Sequence, residues 1–573
     1  MNKIQLFCLI FLASTGLMGQ SAFDVSGRVE DAKSGQVVPY AHIYIKNQTK
    51  GTVSDFEGLF YLNNVKPKDS IIFSFMGYED KFIVAEDARD LDVFKLDPVK
   101  EVLEEVVLTN NDDFLYELLA NCKGGRTKEL KYAKSYFSLN TFIDSNQVEL
   151  LECYFNGAYA GYNVQDLHLK NGRIHLEDYQ EKFFVSLSTS RAIVQHQLFA
   201  SNNYFPEAPF RYGRNRMEKL YHVHFGGKYK DDKERVIYKV KFVPKENKRS
   251  FFEGMAFVDS TSGLLLKTTL SIDSAAVHPF YPLWPNDSIN HVSLEIQKTF
   301  EDDHGKLKVT SIDFNYALMY DGRDEGEYEV KTNAVLYAYK YGEQFMLPMF
   351  GLKNNGISDY RKITAAPYNS FFWKNINEFT MNNVVNKNEF FAKKSIHVNN
   401  ADLRQNKSML KKGFFEQPYV MWSEHRMHIQ DKLPRGMNYE DLNGVLPSKR
   451  YNLKAYLYLD VNEFDGEKHF LAKAIYDPYL SFFHYPDSKE GDAFVNMFFD
   501  LYEIEKRKLV KDLGKGTKED FKLLYEDCVT RAEADSRKYV KEVERAKDRT
   551  SLTKWNKRIK KQLDLDNMEF FGL

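Results

Sequence analysis

The chain is poor in cysteine and lacks the short motifs of several enzyme classes. Only four cysteines occur among its 573 residues, and no two of them stand in the Cys-x-x-Cys spacing of a thiol redox centre. None of the fourteen histidines is followed three residues later by glutamate, so the His-x-x-Glu pair of zinc carboxypeptidases is missing. Gly-x-Ser-x-Gly and a nucleotide-binding glycine loop are missing too. No familiar catalytic motif therefore points to an activity.

The chain also has a small net charge and few long apolar runs. The chain has 79 basic and 81 acidic residues, a formal charge of −2, which would recruit neither nucleic acid nor an anionic membrane. The apolar run at 4–13 follows an early lysine and precedes small and polar residues, which is the layout of a secretory signal peptide. A bilayer span needs about 20 apolar residues. We therefore expect 1–20 to be a signal peptide, and the mature protein to be periplasmic or outer-membrane associated without a transmembrane span.

Three cysteines remain after that cleavage, namely Cys122, Cys153 and Cys528. An odd number leaves at least one free thiol or an intermolecular bond. Cys122 and Cys153 could pair in an oxidising periplasm, and such a loop would add about 3–4 kcal/mol of stability. The alternative is three buried free thiols, and the sequence leaves both possibilities open.

Aromatic residues are abundant, with 36 tyrosines and 45 phenylalanines. Aromatics favour strands, and the length allows roughly three or four domains. We predict a multidomain chain in which an all-β sandwich is followed by an antiparallel β-rich domain and then by an α+β domain ending in helices. The predicted boundaries are a sandwich at 21–98, a linker with a short helix at 99–130, the β-rich domain at 131–345, an irregular connecting region at 346–435 and the α+β domain at 436–573.

The first domain is dense in strand and turn signals. In PYAHIYIK, Ala41, Ile43 and Ile45 alternate with other residues as in a half-buried strand. In SDFEGLFYL, Asp55 and Gly58 mark a tight turn that leads into a strand. Short strands at this spacing predict a small β-sandwich.

This stretch resembles the carboxypeptidase-regulatory-like, transthyretin-like domain. The matching positions are 27–29, Asp31, Gly35, 39–41, 51–52, Asp55, Gly58 and 74–78. Members of that family are accessory sandwiches without catalytic residues, so no peptidase activity is implied. Similar sandwiches open the TonB-dependent receptors of gram-negative outer membranes, where a Leu-x-Glu-Val-Val stretch follows, as it does here at 103–107. Beyond that stretch the resemblance to the receptors stops.

Strand patterns dominate the middle of the chain. A short amphipathic helix is expected at 113–122, and the segment 250–273 predicts two strands joined by a turn at 259–263. Without helices between them, such strands should pair antiparallel. The pattern is similar to the strand pairs of periplasmic lipoprotein carriers, whose curved sheet surrounds acyl chains. The alternative is an ordinary antiparallel sheet with one packed face.

Two histidine pairs are the remaining metal candidates in the sequence. His222 and His224 share one face of a predicted strand, and His425 and His428 stand three residues apart. Two imidazoles can contribute to a metal site, but no cysteine or carboxylate lies beside His222 and His224. We predict no metal site and no cofactor.

The stretch AFVNMFFDLYEIEKR at 493–507 predicts an amphipathic helix, capped by Asp487 or Ser488. An apolar arc on the helical wheel contains Phe494, Met497, Phe498, Leu501 and Ile504. A separate polar strip contains Asn496, Asp500, Glu503 and Arg507, in which the last two residues have the spacing of a favourable ion pair.

Residues 451–510 and the helices that follow resemble a family of small secreted bacterial zinc proteases. The helix of that family reads His-Glu-Gln-x-His-Phe-Asp-Leu-x-Glu-Leu, and the Phe-Asp-Leu triplet stands here at 499–501. The two metal histidines would fall on Phe494 and Phe498, the general-base glutamate on Val495, and a later histidine on Arg545. A catalytic zinc needs three protein ligands and a bound water. The resemblance therefore implies a pseudo-metalloprotease whose site is filled with core, and the alternative is an ordinary amphipathic helix.

These patterns predict a non-catalytic exported envelope protein of a gram-negative bacterium, with a binding or scaffolding role. The expected partner is an envelope protein or a glycan or lipid ligand, and not nucleic acid. Two alternatives stay open: a lipid or lipoprotein carrier that uses the central β domain, and a hydrolase with an unrecognised site.

Overall fold

The computed structural model describes most of the chain in three units. The described residues are 22–48, 50–55, 57–99, 113–125, 127–176, 187–200, 203–231, 233–282, 286–303, 306–322, 326–350, 359–376, 419–428, 451–464, 466–478, 480–483, 488–514, 520–543 and 548–573. The predicted signal peptide, Asp487 and Arg545 lie outside these ranges.

The first unit is a β-sandwich of two sheets, as the sequence predicts. Its elements are β1 (Phe23–Asp31), β2 (His42–Ile45), β3 (Gly51–Val53), β4 (Leu59–Val65), β5 (Ser70–Ser74), β6 (Lys81–Val84), α1 (Ala85–Ala88) and β7 (Val93–Leu96). One sheet has the order β4-β1-β7 and the other the order β3-β2-β5-β6. The β1–β7 pair is parallel, and the other pairs among these strands are antiparallel.

Alternation and turn chemistry produce this sandwich. In β2, Ile43 and Ile45 are buried and Tyr44 between them is exposed, because successive side chains of a strand point to opposite faces. Gly58 takes a φ of +76° in the turn before β4, a region that glycine enters without steric cost. Inside, the rings of Phe60, Phe73 and Phe94 pack with centroids 4.8–5.3 Å apart.

The second unit is a ten-stranded antiparallel sheet. Its elements are α2 (Asp113–Asn121), β8 (Lys131–Ile143), β9 (Asn146–Ala160), β10 (Asn163–Leu176), α3 (Thr189–Gln195), α4 (Arg214–Leu220), β11 (Tyr221–Lys230), β12 (Val236–Pro244), β13 (Glu253–Asp259), β14 (Leu265–Ile272), β15 (Ser288–Asp303), β16 (Lys306–Gly322) and β17 (Gly326–Tyr341), with 3₁₀ turns at Cys122–Gly125 and Pro209–Arg211. The order is β10-β9-β8-β17-β16-β15-β14-β13-β12-β11. Two meanders thus join where β17 pairs with β8.

The two faces of this sheet are covered differently. On one face Leu294, Ile296 and Phe314 belong to a large apolar core, which also includes Leu115 from α2 and Met217 from α4. This packing follows from alternation along each strand. The opposite face is rich in polar side chains, and the sandwich and the segment around α6 pack on it.

The third unit combines a small sheet with helices. Its elements are β18 (Met349–Phe350), α5 (Asp359–Thr364), α6 (Ser370–Asn375), β19 (Val420–Met421), β20 (Tyr451–Asn452), β21 (Ala455–Phe464), β22 (Glu467–Tyr476), β23 (Phe482–Phe483), α7 (Lys489–Leu513), α8 (Asp520–Val543), α9 (Arg549–Leu563) and α10 (Asn567–Phe571). The sheet order is β18-β21-β22-β19, and β20 pairs with β23. Residues 346–435, predicted to be irregular, therefore supply two strands of this sheet. The predicted fold class is confirmed for the described parts of the chain.

A small aromatic cluster joins the three units. It contains Tyr40 from the sandwich, Tyr136, Tyr154 and Val335 from the large sheet, and Phe372, Trp373 and Ile376 from the segment around α6. Tyr154 packs against Phe372 and Trp373 with ring centroids 5.4 and 5.5 Å away. The polar face of the large sheet is thus the surface on which the outer units meet.

Candidate functional site

Helix α7 contains the positions that the sequence singles out. Ser488 is its N-cap and accepts a hydrogen bond of 3.0 Å from the backbone N–H of Gly491, which satisfies one of the free donors of the first turn. The helix continues to Leu513, so the whole stretch 493–507 is helical.

The predicted apolar arc of α7 is buried. Phe494 is fully buried and stacks on the ring of Tyr539 from α8, with centroids 5.3 Å apart. The Tyr539 hydroxyl donates to the backbone oxygen of Phe494 at 2.9 Å. Val495 and Phe498 are also buried. Rings and alkyl groups occupy these positions, and they offer no lone pair to a metal ion.

Two aromatic residues of the helices that follow, Tyr539 and Trp555, lie beside this arc. The ring of Tyr539 meets that of Trp555 edge-on at 5.4 Å. The indole Nε1 of Trp555 donates to Glu542 Oε2 at 2.9 Å. The structure therefore brings Phe494, Tyr539, Glu542 and Trp555 into one continuous set of contacts, and Arg545 lies outside the described residues.

The polar strip of α7 binds the segment 419–428. Asp500 is fully buried and accepts hydrogen bonds of 2.7 Å from Arg426 Nη1, Trp422 Nε1 and Asn567 Nδ2. Asn496 forms two hydrogen bonds with the backbone of Met427, accepting at 3.0 Å and donating at 2.7 Å. A carboxylate with three donors is well satisfied, so these residues fasten the segment to the helix.

Toward the C-terminal end of α7, the polar strip forms a cluster of ion pairs. Glu503 is buried and meets Lys506 Nζ at 2.8 Å and Arg507 Nε at 2.9 Å. The guanidinium groups of Arg426 and Arg507 lie 5.4 and 5.5 Å from the ring centroid of Trp422. Glu503 and Arg507 thus form an ion pair at i,i+4, and the contacts of the strip join parts of the protein to one another.

The histidine pairs stay apart from any ligand cluster. His222 and His224 are exposed on β11 with parallel rings 6.1 Å apart. His428 Nδ1 contacts Asp492 Oδ2 at 2.8 Å. Within the described ranges, no group of three or more histidine, cysteine, aspartate or glutamate side chains is arranged to hold a metal ion.

The cysteines are three buried free thiols in the structure. Burial raises the pKa of the Cys122 thiol to about 12 and that of Cys153 well above its ordinary value. Since the thiolate is the nucleophile, neither group is poised for thiol chemistry.

Buried charges fix the third unit to the large sheet. Lys170 of β10 contacts Asp460 Oδ1 of β21 at 2.5 Å, and both side chains are almost fully buried. Lys170 Nζ also donates to the backbone oxygens of Met346 at 2.7 Å and Val461 at 3.0 Å. Asn369 Nδ2 donates to the other Asp460 oxygen at 2.8 Å. Both members of the pair are therefore compensated.

The sandwich meets the large sheet over a small polar cavity of about 170 Å³. The cavity is lined by Pro39, Tyr40, Phe75, Lys267, Glu295, Gln297, Asp313 and Asn315. The first three come from the sandwich and the others from β14, β15 and β16. Tyr40 has a φ of +63°, a conformation that a bulky residue rarely adopts.

Two titratable groups of this cavity have strongly altered surroundings. Burial raises the pKa of Asp313 to about 7, although Gln297 and Lys267 act in the opposite direction. Burial lowers the pKa of Lys267 to about 8, and Asp313 partly offsets the effect. The Lys267 ammonium lies 4.3 Å from the ring centroid of Phe75. Buried groups of this kind in a cavity are typical of ligand-binding or catalytic sites.

Sequence patterns did not identify this cavity. Lys267 and Asp313 occur in strands where they alternate with apolar residues, which predicts a solvated face. The sandwich covers that face instead. The one sequence feature that indicates burial of Lys267 is the run of three leucines immediately before it.

Two open grooves adjoin the same interface. A groove of about 510 Å³ shares Glu295 and Asn315 with the cavity. A larger groove of about 690 Å³ lies between the sandwich and the large sheet, and shares Phe75 with the cavity. Its walls combine tyrosines, such as Tyr44 and Tyr337, with charges of both signs.

Comparison with known proteins identifies the sandwich. Residues 25–108 match the model of the CarboxypepD_reg-like domain family, which confirms the resemblance stated for that part of the chain. TonB-dependent receptor P26 of Formosa agariphila is 36% identical over 84 residues, which are 15% of this chain and 8% of the receptor. TonB-dependent receptor SusC of Bacteroides thetaiotaomicron is 34% identical over 105 residues, 18% of this chain and 10% of the receptor. The chain thus spans about a tenth of the length of the curated relatives it matches.

The solved structures match a larger share of the chain than the two receptors do. MucB is 10% identical and covers 38% of this chain and 91% of its own, with a TM-score of 0.17. A LolA superfamily protein from Nitrosomonas europaea is 7% identical and covers 39% of this chain and 92% of its own, with a TM-score of 0.14. No helix in the described ranges is both long and apolar enough to cross a bilayer.

Proposed function

We propose that this protein is a non-catalytic exported envelope protein of a gram-negative bacterium with a scaffolding and binding role. One observation carries the proposal: a buried and fully compensated ion pair fixes the third unit to the large sheet. The Lys170–Asp460 pair has side chains only 1% and 0% exposed. Catalysis needs converging groups that are open to substrate, whereas Lys170 and Asp460 are paired with each other and buried.

The sandwich supports the same proposal from the other side. His42 lies edge-on against Tyr337 of β17, with ring centroids 5.1 Å apart. Burial lowers the pKa of His42 to about 4, so the imidazole is neutral at physiological pH and its contact with Tyr337 involves no charge. Accessory sandwiches of this family are found in relatives named TonB-dependent receptors, which supports an envelope location.

The third unit fits a protease-like scaffold whose metal site has been filled. The resemblance to the zinc proteases would put the two histidines at Phe494 and Phe498, and Phe494 stacks on Tyr539 of α8. Full burial of a phenylalanine side chain stabilises a fold by about 1.5–3 kcal/mol. The scaffold thus contributes stability and a rigid surface where the zinc proteases have their catalytic centre.

The carrier alternative would use the other face of the large sheet. There the side chains of α2, α3 and α4 pack on the strands in one continuous core, with Leu115, Ile193 and Met217 all buried. An acyl chain could enter only if these helices moved away. We therefore assign the binding role to the groove of about 690 Å³ between the sandwich and the large sheet.

The test is photo-crosslinking in living cells combined with fractionation. A photoreactive phenylalanine replaces Tyr44, which lines the groove and is 37% exposed. The matched control replaces Leu523 on α8, which is 62% exposed. We expect a defined envelope adduct from position 44 and none from position 523. Equal labelling at both positions, or recovery of uncleaved protein from the cytosol, would refute the proposal.

A further inference from the structure

We propose that the cavity between the sandwich and the large sheet binds one neutral, hydroxyl-bearing ring of the size of a monosaccharide. This inference goes beyond the scaffolding role and does not depend on it. It is carried by two buried oxygen atoms of the cavity that accept no hydrogen bond from any described residue, Asp313 Oδ1 and Asn315 Oδ1.

Asp313 is only 1% exposed, and one of its oxygens is already used. Gln297 Nε2 donates to Asp313 Oδ2 at 2.9 Å, so Oδ1 is the oxygen left for a ligand. Asn315 Oδ1 is also buried and accepts no hydrogen bond from the described residues. A buried acceptor without a donor is costly, so both oxygens call for a ligand that donates.

The spacing of the two acceptors limits the shape of the ligand. Asp313 and Asn315 are two residues apart on β16, so their side chains leave the same face of the strand about 7 Å apart. One hydroxyl cannot reach both oxygens. A six-membered ring with hydroxyls on opposite sides can, and a cavity of about 170 Å³ offers several times the roughly 30 Å³ that one water occupies.

The charges of the cavity favour a neutral ligand. The Lys267 ammonium has only donors, so it needs a ligand atom that accepts, which a hydroxyl does and a ligand ammonium does not. A ligand carboxylate would lie beside Asp313 and Glu295, which also line the cavity, and like charges repel. Hydroxyl groups both accept and donate hydrogen bonds. The hydroxyls of one ring can therefore accept from Lys267 and donate to both oxygens.

The side of the cavity formed by the sandwich is apolar and aromatic, and it can pack against the flat side of such a ring. Pro39, Tyr40 and Phe75 close the cavity from the sandwich. Apolar and aromatic walls combined with a few fixed polar groups are the usual make-up of a small-molecule site. The ligand reaches the cavity past Glu295 and Asn315, which also line the open groove of about 510 Å³.

The test compares three rings of nearly equal size on the mature protein. D-Glucose is neutral, D-glucosamine is a cation and D-glucuronate is an anion. We measure each by saturation-transfer NMR and calorimetric titration. The expected result is binding of D-glucose with no comparable binding of the two charged rings. Absence of D-glucose binding, or tighter binding of either charged ring, would overturn the proposal.

Two variants locate the binding in the cavity. Asn315→Leu removes one acceptor, and Lys267→Met removes the ammonium but keeps a flexible apolar side chain. Loss of one such hydrogen bond is expected to weaken D-glucose binding about tenfold or more. Lys239→Met is the control, since Lys239 also lies over an aromatic ring, Tyr229, at 5.5 Å but outside the cavity. Thermal melts and circular dichroism confirm folding, and unchanged affinity in both folded cavity variants would contradict the site.

Discussion

Two buried aspartates show how the same residue type takes on different roles in this protein. Asp500 receives three hydrogen bonds of 2.7 Å, one of them from an arginine. Asp313 is as deeply buried but has one oxygen without a donor among the described residues. A carboxylate with a full set of donors stabilises its surroundings, whereas an incomplete set leaves a cost that a proton or a ligand can relieve.

That difference predicts a pH dependence of stability at Asp313. Burial raises its pKa from 3.8 to about 7, so the folded state disfavours the ionised form. The cost therefore begins above about pH 4, grows until the pH reaches about 7, and is then constant at a few kcal/mol. Asp313→Asn cannot ionise, so the variant should gain stability over the wild type across this range. Urea denaturation at several pH values measures the difference.

The control for this titration is Asp166→Asn, because the side chain of Asp166 is 60% exposed. Substitution at this exposed position should change the stability by no more than about 0.5 kcal/mol at each pH. A difference for Asp313→Asn that is equally flat from about pH 4 to about pH 8 would show that the folded state does not resist ionisation at this position.

Phe498 tests the interpretation of the apolar arc of α7. Its ring is 5% exposed and lies 5.6 Å from the ring of Tyr502. Truncation to alanine should open a cavity and lower the free energy of unfolding by about 3–5 kcal/mol. Phe570→Ala is the matched control, since Phe570 is 58% exposed, and should have little effect. Chemical denaturation measures both, and a loss below about 1 kcal/mol at Phe498 would contradict burial in the core.

At the scale of elements, the sequence predicted which residues of a strand or helix are buried by its local pattern. It did not predict which distant segment packs over them. The alternation of Ile43 and Ile45, the 259–263 turn and the burial of Phe494 all follow from local pattern, and the structure confirms them. Lys267 and Asp313 also alternate with apolar neighbours. Local pattern indicates which side of its own strand each residue occupies, but only the docking of the sandwich from a distant part of the chain shows that these sides are buried.

Helix α7 permits a direct test of the filled-site interpretation. The triple variant Phe494→His, Val495→Glu and Phe498→His restores the motif of the zinc proteases. We expect it to be less stable than the wild type, because it places polar groups where only apolar partners surround them. We also expect no zinc binding, since the resemblance puts the third ligand at Arg545 and a site needs three.

The measurement for the triple variant is denaturation with and without zinc, together with elemental analysis. The wild type serves as the reference and should contain no stoichiometric zinc, and chelators should not change its melting temperature. Stabilisation of the triple variant by zinc would mean that the scaffold still provides a metal site.

At the scale of the whole molecule, the joint between the large sheet and the third unit decides cooperativity. Burial lowers the pKa of Lys170, and Asp460 partly restores it. Asp460→Asn would leave that ammonium without its counter-charge, at a cost of about 3–5 kcal/mol. Because the joint connects two units, we expect calorimetry to show separate unfolding transitions in the variant where the wild type shows one.

Glu343→Gln is the control variant for Asp460→Asn. Glu343 pairs with Lys134 at 3.3 Å, but its side chain is 54% exposed, and such surface pairs contribute about 0–1 kcal/mol. The melting profile of this variant should match that of the wild type. If Asp460→Asn melts in a single transition at the wild-type temperature, the buried pair does not couple the units.

The pairing of β8 with β17 sets the order in which the protein can be made. Tyr136 and Tyr337 are direct partners in the large sheet, although about two hundred residues separate them in the chain. Until β17 has been synthesised, β8 therefore presents an unpaired edge, and such edges readily join those of other chains. Contacts this distant also slow folding. The nascent protein thus needs protection while nine further strands, β9 to β17, are synthesised, and the two meanders of the sheet can join only when β17 arrives.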